Sequence, residues 1–172
     1  YAALARDRKA TREMFASVRI AVSGGEALPP VVRDQFIDRF GVEIHEGYGL
    51  TETSPAAHIS LPWASRLGTV GKALPDVESR IIGSDGAVLP VNIDGEVQLR
   101  GPNVMRGYHK MPAETAKVLS TDGWFSTGDM GRLDDDGYLS ITGRIKEMLI
   151  VGGENVFPRE IESVLELHPD VV

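Results

Sequence analysis

The sequence predicts an α/β protein in three parts: the end of a βαβ subdomain, a small β-barrel subdomain and the start of a small α+β domain. Three observations carry this. A short apolar run, VRIAV, leads through Ser23, Gly24 and Gly25 into a segment with helical apolar spacing, and a second strand-like run follows. From about residue 66 to 143, short strand-like runs alternate with Gly, Pro, Asn and Asp turns. After that, an apolar run, a Gly-Gly turn and a proline-initiated helix begin a third region. The expected boundaries are residues 1–57, 58–145 and 146–172.

Residues 1 to about 15 read as helix and Val18 to Val22 as a strand. Pro29 or Pro30 suits a first helical position, where a missing N–H costs nothing. Val31, Val32, Phe36, Ile37 and Phe40 then fall on one helical face, and Gly41 ends the helix. VEIHEGYG is the second strand. A βαβ order implies a parallel sheet, and ligands collect at the ends of such strands. TVGKALP, VESRII, GEVQLRG and GYLSITG are the short strands of the middle region, with SDGA (84–87) and DDDG (134–137) as hairpin turns. A small barrel or a distorted sandwich would accommodate them. In the third region MLIV is a strand, GGEN a turn, and Pro158 opens a helix with Glu160 and Glu162 in its first turn, where the helix dipole favours acids. Ile161, Val164 and Leu165 are expected to form its buried stripe. Too little chain follows to close a core, and both ends read as positions inside a longer protein.

Composition narrows the function. A net charge of −7 argues against a nucleic-acid backbone as partner. No cysteine is present, which excludes disulfides, thiolate zinc sites and a cysteine nucleophile. That fits a reducing compartment, and the expected location is the cytoplasm. No run of about 18 apolar residues exists to span a membrane, and YAALARDRKATREMF lacks the apolar core of a signal peptide. The four histidines show no metal-ligand spacing, and neither a G-x-S-x-G elbow nor a G-x-x-x-x-G-K-S/T loop occurs. DDDG is no calcium loop, because the first ligand position would fall on Arg132.

Four segments carry candidate chemistry. In HEGYGLTET, Gly47 and Gly49 flank Tyr48, and Thr51 precedes Glu52. This is either a turn, with Tyr48 in the core and Glu52 in solvent, or a nucleotide loop. In the second reading Tyr48 stacks on a base, Thr51 bonds a phosphate and Glu52 helps hold Mg2+, a hard cation that shares oxygen ligands with phosphates. Gly24-Gly25 is a tight strand-to-helix turn or a place where backbone lies against a flat ligand. Asp129, closing WFSTGD, is a turn residue or a two-oxygen acceptor for a vicinal diol such as ribose. Arg144 is a surface arginine or a donor to the same ribose or a phosphate.

VSGGEALP, EGYGLTET, GEVQLRGPNVMRGYHKMPAET, DGWFSTGD and GRIKEMLIVGGENVFPREIE resemble, in order and rough spacing, the motifs of the adenylate-forming enzymes. That superfamily comprises acyl-CoA synthetases, luciferase-like enzymes and the adenylation domains of peptide synthetases. The wording is closest to fatty-acyl and aryl CoA ligases, and the similarity covers about residues 18 to 172. The resemblance implies a nucleotide-binding first subdomain and a two-step reaction. A carboxylic acid, a fatty acid by first expectation and an aryl acid by second, attacks ATP to give acyl-AMP and pyrophosphate. The acyl group then passes to coenzyme A, and AMP leaves.

By position, the resemblance implies that Gly24, Gly25 and Glu26 line the adenine and that Tyr48, beside Gly49, stacks on it. Thr51 contacts phosphate and Glu52 holds Mg2+; Asp129 binds the ribose hydroxyls with Arg144 beside it. Lys146 falls at the hinge before the C-terminal domain, and Gly152, Gly153 and Asn155 at the loop used in the thioester step. The small residues Thr53, Ser54, Pro55 and Ala56 leave room for an acyl group. The family's phosphate loop and C-terminal lysine are not in this sequence, so the chain alone is expected to be inactive. Two alternatives stay open: an adenylation enzyme that loads a carrier protein, and a non-catalytic nucleotide-binding module.

Overall fold

The computed structural model describes residues 1–152, 154–165 and 168. The N-terminal helix α1 spans only Ala2–Arg6. It stops because the Asp7 carboxylate accepts the Lys9 amide at 2.9 Å, a local bond that competes with helix continuation. A 3-10 turn, Arg12–Phe15, follows in place of the longer helix expected there. Strand β1 is Ala21–Ser23, shorter than Val18–Val22, since the Val18 amide is drawn back onto the Phe15 carbonyl at 2.9 Å. Helix α2, Pro30–Phe40, has proline in its first turn and ends at Gly41, which takes the left-handed conformation at φ 70°. Strand β2, Ile44–Tyr48, runs parallel to β1 in the register Ala21↔Ile44. Phe36, Phe40, Ile44 and Ala10 form a first core, joined by Tyr1 and Phe15. Arg39 ties the N-terminal segment over this core by donating to the carbonyls of Ala5, Asp7 and Ala10.

Among the described residues only β1 and β2 pair in parallel. Strands β3 (His58–Ile59) and β4 (Lys72–Ala73) extend the same sheet antiparallel. The middle region is a second sheet of β5 (Glu78–Ile82), β6 (Gly95–Arg100), β7 (Phe125–Leu133) and β8 (Leu139–Arg144), antiparallel throughout and in sequence order. Helix α3, Pro112–Val118, lies between β6 and β7 in the chain. The sheet is an open meander, not a closed barrel: β5 and β8 lie at opposite edges, and irregularities of register at Glu96/Gln98 and Met130/Gly131 bend it. In β6, buried Val97 and Leu99 alternate with Gln98 and Arg100, and with Ala57, Ile81 and Leu139 they make the second core. Both expected hairpin turns form, Gly86 donating to Gly83 and Gly137 to Asp134.

The third region comprises β9 (Leu149–Val151), β10 (Glu154–Val156) and α4 (Pro158–Leu165). Its stripe is not buried as expected: Ile161, Val164 and Leu165 are exposed. Phe157, just before α4, is buried instead, resting on Gly143 where a Cβ would come within 2.3 Å of its ring. No helix among the described residues is long and apolar enough to cross a membrane.

The two sheets are joined by polar ties as well as apolar contact. Val70 donates to the Leu139 carbonyl and Leu139 to that of Gly71. His58, wholly buried in β3, lies 2.6 Å from the Ser79 hydroxyl in β5 through Nε2 and 3.3 Å from the Gly71 carbonyl through Nδ1. A carbonyl can only accept, so Nδ1 carries the proton and Nε2 accepts from Ser79; the neutral ring satisfies both partners. Burial pulls the His58 pKa down to about 4 from its ordinary 6.5. A depressed pKa means that the folded state binds the proton more weakly than the unfolded one. The contribution is therefore complete above pH 6.5 and is lost as pH falls towards 4, amounting to about 3 kcal/mol. Urea unfolding followed from pH 7 to pH 4 is expected to show this loss, and replacing His58 with Gln to remove that part of the pH dependence.

Candidate functional site

The site is assembled where β2 ends. Tyr48 closes the strand, and its hydroxyl donates to Asp129 Oδ2 at 2.7 Å. Asp129 lies in β7 and is only 4% exposed. Its cross-strand partner in β8 is Arg144, whose Nε lies 3.0 Å from the other carboxylate oxygen as an ion pair. One oxygen of the buried carboxylate thus has a hydroxyl donor and the other a guanidinium as ion-pair partner, and half of the Arg144 side chain remains in solvent. The Asp129 amide is held too, by Thr127 Oγ1. Burial first, then the Asp129 charge, raises the Tyr48 phenol far above its usual range, so it remains a donor. The strand β7 was not among the sequence-predicted ones, because Ser126, Thr127 and Gly128 interrupt its apolar alternation.

Beyond Tyr48 the chain turns sharply. A Cβ at Gly49 would lie 2.0 Å from the Pro55 carbonyl oxygen, so only glycine permits this closure. Thr51–Thr53 form one 3-10 turn. Thr53 is completely buried, and its hydroxyl accepts the Leu50 amide at 2.8 Å. It therefore holds the loop, whereas Ser54 and Pro55 after it are exposed. Thr51 is exposed. Glu52 is partly exposed and accepts the Tyr108 hydroxyl at 2.9 Å through Oε1. That bond, more than burial, raises the Tyr108 pKa.

Sequence reasoning gave no role to the strap Gly101–Tyr108. Asn103 Nδ2 donates to the carbonyls of Thr53 (3.1 Å) and Ala56 (2.8 Å), and the Met105 amide donates to the Glu52 carbonyl (2.7 Å). Its signal is faint in a sequence: an asparagine and a tyrosine among turn residues, fifty positions from what they hold.

Gly24, Gly25 and Glu26 are exposed and line an open cleft of about 510 Å3 with Ser23, Leu28 and Val32. Gly24 faces the Gly47 carbonyl, which a Cβ would approach to 3.0 Å, so this loop reaches the strand that carries Tyr48. Lys146 is exposed in a 3-10 turn, Ile145–Glu147, directly after β8. Gly152, at φ 62°, turns the β9–β10 hairpin, and Asn155 pairs with Ile150 in it. Gly153 lies outside the described residues. The structure therefore joins Tyr48, Asp129 and Arg144 by direct bonds, with Thr51 and Glu52 on the adjoining turn. Lys146, Gly152 and Asn155 follow β8 in the chain.

The sequence profile described as AMP-binding enzyme matches residues 1–109. A sulfoacetate–CoA ligase of Cupriavidus necator is 43% identical over 91% of this chain and 31% of its own length. A long-chain-fatty-acid–CoA ligase of Bacillus subtilis is 39% identical over 90% of this chain and 28% of its own. The crystal structure of ATP-bound MatB from Rhodopseudomonas palustris superposes with a TM-score of 0.93 at 37% identity, over 100% of this chain and 34% of that one. The chain spans about a third of the length of the curated relatives it matches.

The strap makes the loop's geometry testable. Asn103→Ala leaves two carbonyls without their donor and is expected to destabilise the protein by about 1–3 kcal/mol. Asn103→Asp costs more, because it sets an anion against the same carbonyls. Hydrogen exchange of the Thr53 amide should quicken in both variants; unchanged protection would show that the loop holds itself.

Proposed function

The chain belongs to the AMP-binding enzyme family, and from that membership we propose that it is part of an ATP-dependent acid–thiol ligase. A carboxylic acid attacks the α-phosphorus of ATP, pyrophosphate leaves, and the acyl group of the resulting acyl-AMP then passes to the thiol of coenzyme A. The observation that carries this reading is the set Tyr48–Asp129–Arg144, joined by a hydrogen bond and an ion pair, beside the Thr51–Glu52 turn. In it, Asp129 accepts the ribose hydroxyls, with Arg144 contributing its outer N–H groups. Tyr48 offers its ring to the base while its hydroxyl stays on Asp129. Gly24, Gly25 and Glu26 border the base across the cleft, and Thr51 supplies an exposed hydroxyl to a phosphate.

Glu52 is the residue proposed to hold Mg2+. Among the described residues no group of three or more His, Asp or Glu side chains is placed to hold a metal. A single carboxylate fits magnesium nonetheless, because Mg2+ keeps waters and shares substrate phosphates instead of filling an all-protein cage. Glu52 Oε1 is occupied by Tyr108, while Oε2 accepts no hydrogen bond among the described residues. When bound, the ion neutralises charge developing on phosphate oxygens.

Residues 1–57 and 58–145 are read as parts of one large domain and 146–172 as the start of a second. Lys146 is the hinge between them, and Gly152, Gly153 and Asn155 form the loop presented for thioester formation. The acid proposed is a long- or medium-chain fatty acid. A long-chain ligase among the relatives supports it, although the sulfoacetate relative shows how far the acid varies at similar identity. The 172 residues alone are proposed to be inactive.

Carboxylate-dependent ATP–pyrophosphate exchange tests this in a full-length protein carrying the sequence, with fatty acids of several lengths and aryl acids, each with and without CoA. Exchange with a fatty acid, then AMP and a thioester once CoA is added, is the expected outcome. Glu52→Gln should slow exchange by roughly 100-fold or more. Exchange without a CoA thioester would point to carrier-protein loading. A folded protein that binds ATP but exchanges with no acid would overturn the ligase reading.

A further inference from the structure

We infer that Tyr108 is a positioning residue: it holds Glu52 by one carboxylate oxygen and so presents the other to the divalent cation. The inference rests on the ligase reading, and its own support is geometric. The Tyr108 hydroxyl donates to Glu52 Oε1 at 2.9 Å, and the Met105 amide, three residues earlier, fixes the Glu52 carbonyl at 2.7 Å. Side chain and main chain of Glu52 are therefore gripped by one strap.

Tyr108 is itself held from α3. Thr115 Oγ1 accepts the Tyr108 amide at 2.9 Å and donates to the Met111 carbonyl at 2.9 Å. Gly107 lets the two approach, since a Cβ there would meet Thr115 Cγ2 at 2.7 Å. A rigid path thus runs from α3 through Thr115 and Tyr108 to the Glu52 carboxylate. A carboxylate with both oxygens free rotates between one-oxygen and two-oxygen binding. Donation to Oε1 disfavours the two-oxygen mode and orients the carboxylate plane, leaving Oε2 for the cation. Magnesium demands near-ideal octahedral geometry, so a carboxylate held in this way suits it.

Mn2+ is a paramagnetic probe for the same site, and its binding with ATP can be read by electron paramagnetic resonance without turnover. The comparison uses the full-length protein, Tyr108→Phe, Glu52→Gln and the double variant. Tyr108→Phe removes only a hydroxyl and is expected to weaken Mn2+ binding roughly 10-fold. In the Glu52→Gln background the same change should move the residual affinity by less than about twofold, as required if Tyr108 acts through Glu52. Wild-type Mn2+ affinity in Tyr108→Phe, with or without a lower melting temperature, would overturn the positioning role and leave the ligase reading intact. An equal loss in both backgrounds would overturn it as well. A wild-type protein that binds no Mn2+ with ATP would overturn both.

Discussion

The buried carboxylate of Asp129 constrains the rest of the site. A charge taken out of water is costly unless it is paired and hydrogen-bonded. Here one oxygen is met by Tyr48 from the first sheet and the other by Arg144 from the second. The requirement for pairing thus converts an electrostatic penalty into a positional bond between two sheets that also meet through Ala57, Val70 and His58. It also fixes the end of β2, and with it the point from which the Thr51–Glu52 turn departs. Because Arg144 is the register partner of Asp129 in the β7–β8 ladder, its place is set by backbone pairing before the ion pair forms.

The acidic loop is built on a different principle. Its shape comes largely from captured carbonyls. Leu50, Thr53 and Ala56 are each bonded by a side chain, and Glu52 by an amide of the strap. Gly49 makes the fold-back sterically possible, and Thr53 closes it. Thr51, at the start of the turn, stays exposed, as does Ser54 just after it. A site made this way separates groups that must be held from the group that must remain available.

How much of this was legible in the sequence follows from the same physics. Helix α2 was readable because proline, a 3.6-residue apolar period and Gly41 all agree. The motif residues were readable because Tyr, Thr, Glu and Asp flanked by glycines are chemically distinctive. The parallel β1–β2 pair was readable from the βαβ order. What was not readable is long-range. The antiparallel addition of β3 and β4 depends on two-residue pairings with no periodicity to detect, and the open edge of the second sheet depends on bulges at Glu96 and Met130. Asn103 and Tyr108 act on partners about fifty residues away, and an asparagine in a turn looks the same whether it captures two carbonyls or water. The α4 stripe was misjudged for a related reason: an amphipathic pattern says which face is apolar, not what lies against it.

The C-terminal segment leaves the body at a defined place, and the geometry limits how it can move. Arg144 is the last residue of β8 and is clamped by Asp129; the next three residues are exposed. A pivot at Lys146 would therefore turn on a stem that the site itself holds fixed. On the far side, Phe157 rests on Gly143, a residue before the pivot, at a distance that leaves no space even for a methyl group. Any rotation about Lys146 must lift that ring from the strand. Burying a phenylalanine contributes on the order of 2 kcal/mol, which is large enough to favour one orientation and small enough to be exchanged for contacts of similar size in another. The clamp at Arg144 and the resting ring of Phe157 lie on opposite sides of Lys146 in the chain. A hinge needs only a few residues able to absorb the backbone change, and a pivot there would have a held stem before it and one modest contact to give up after it.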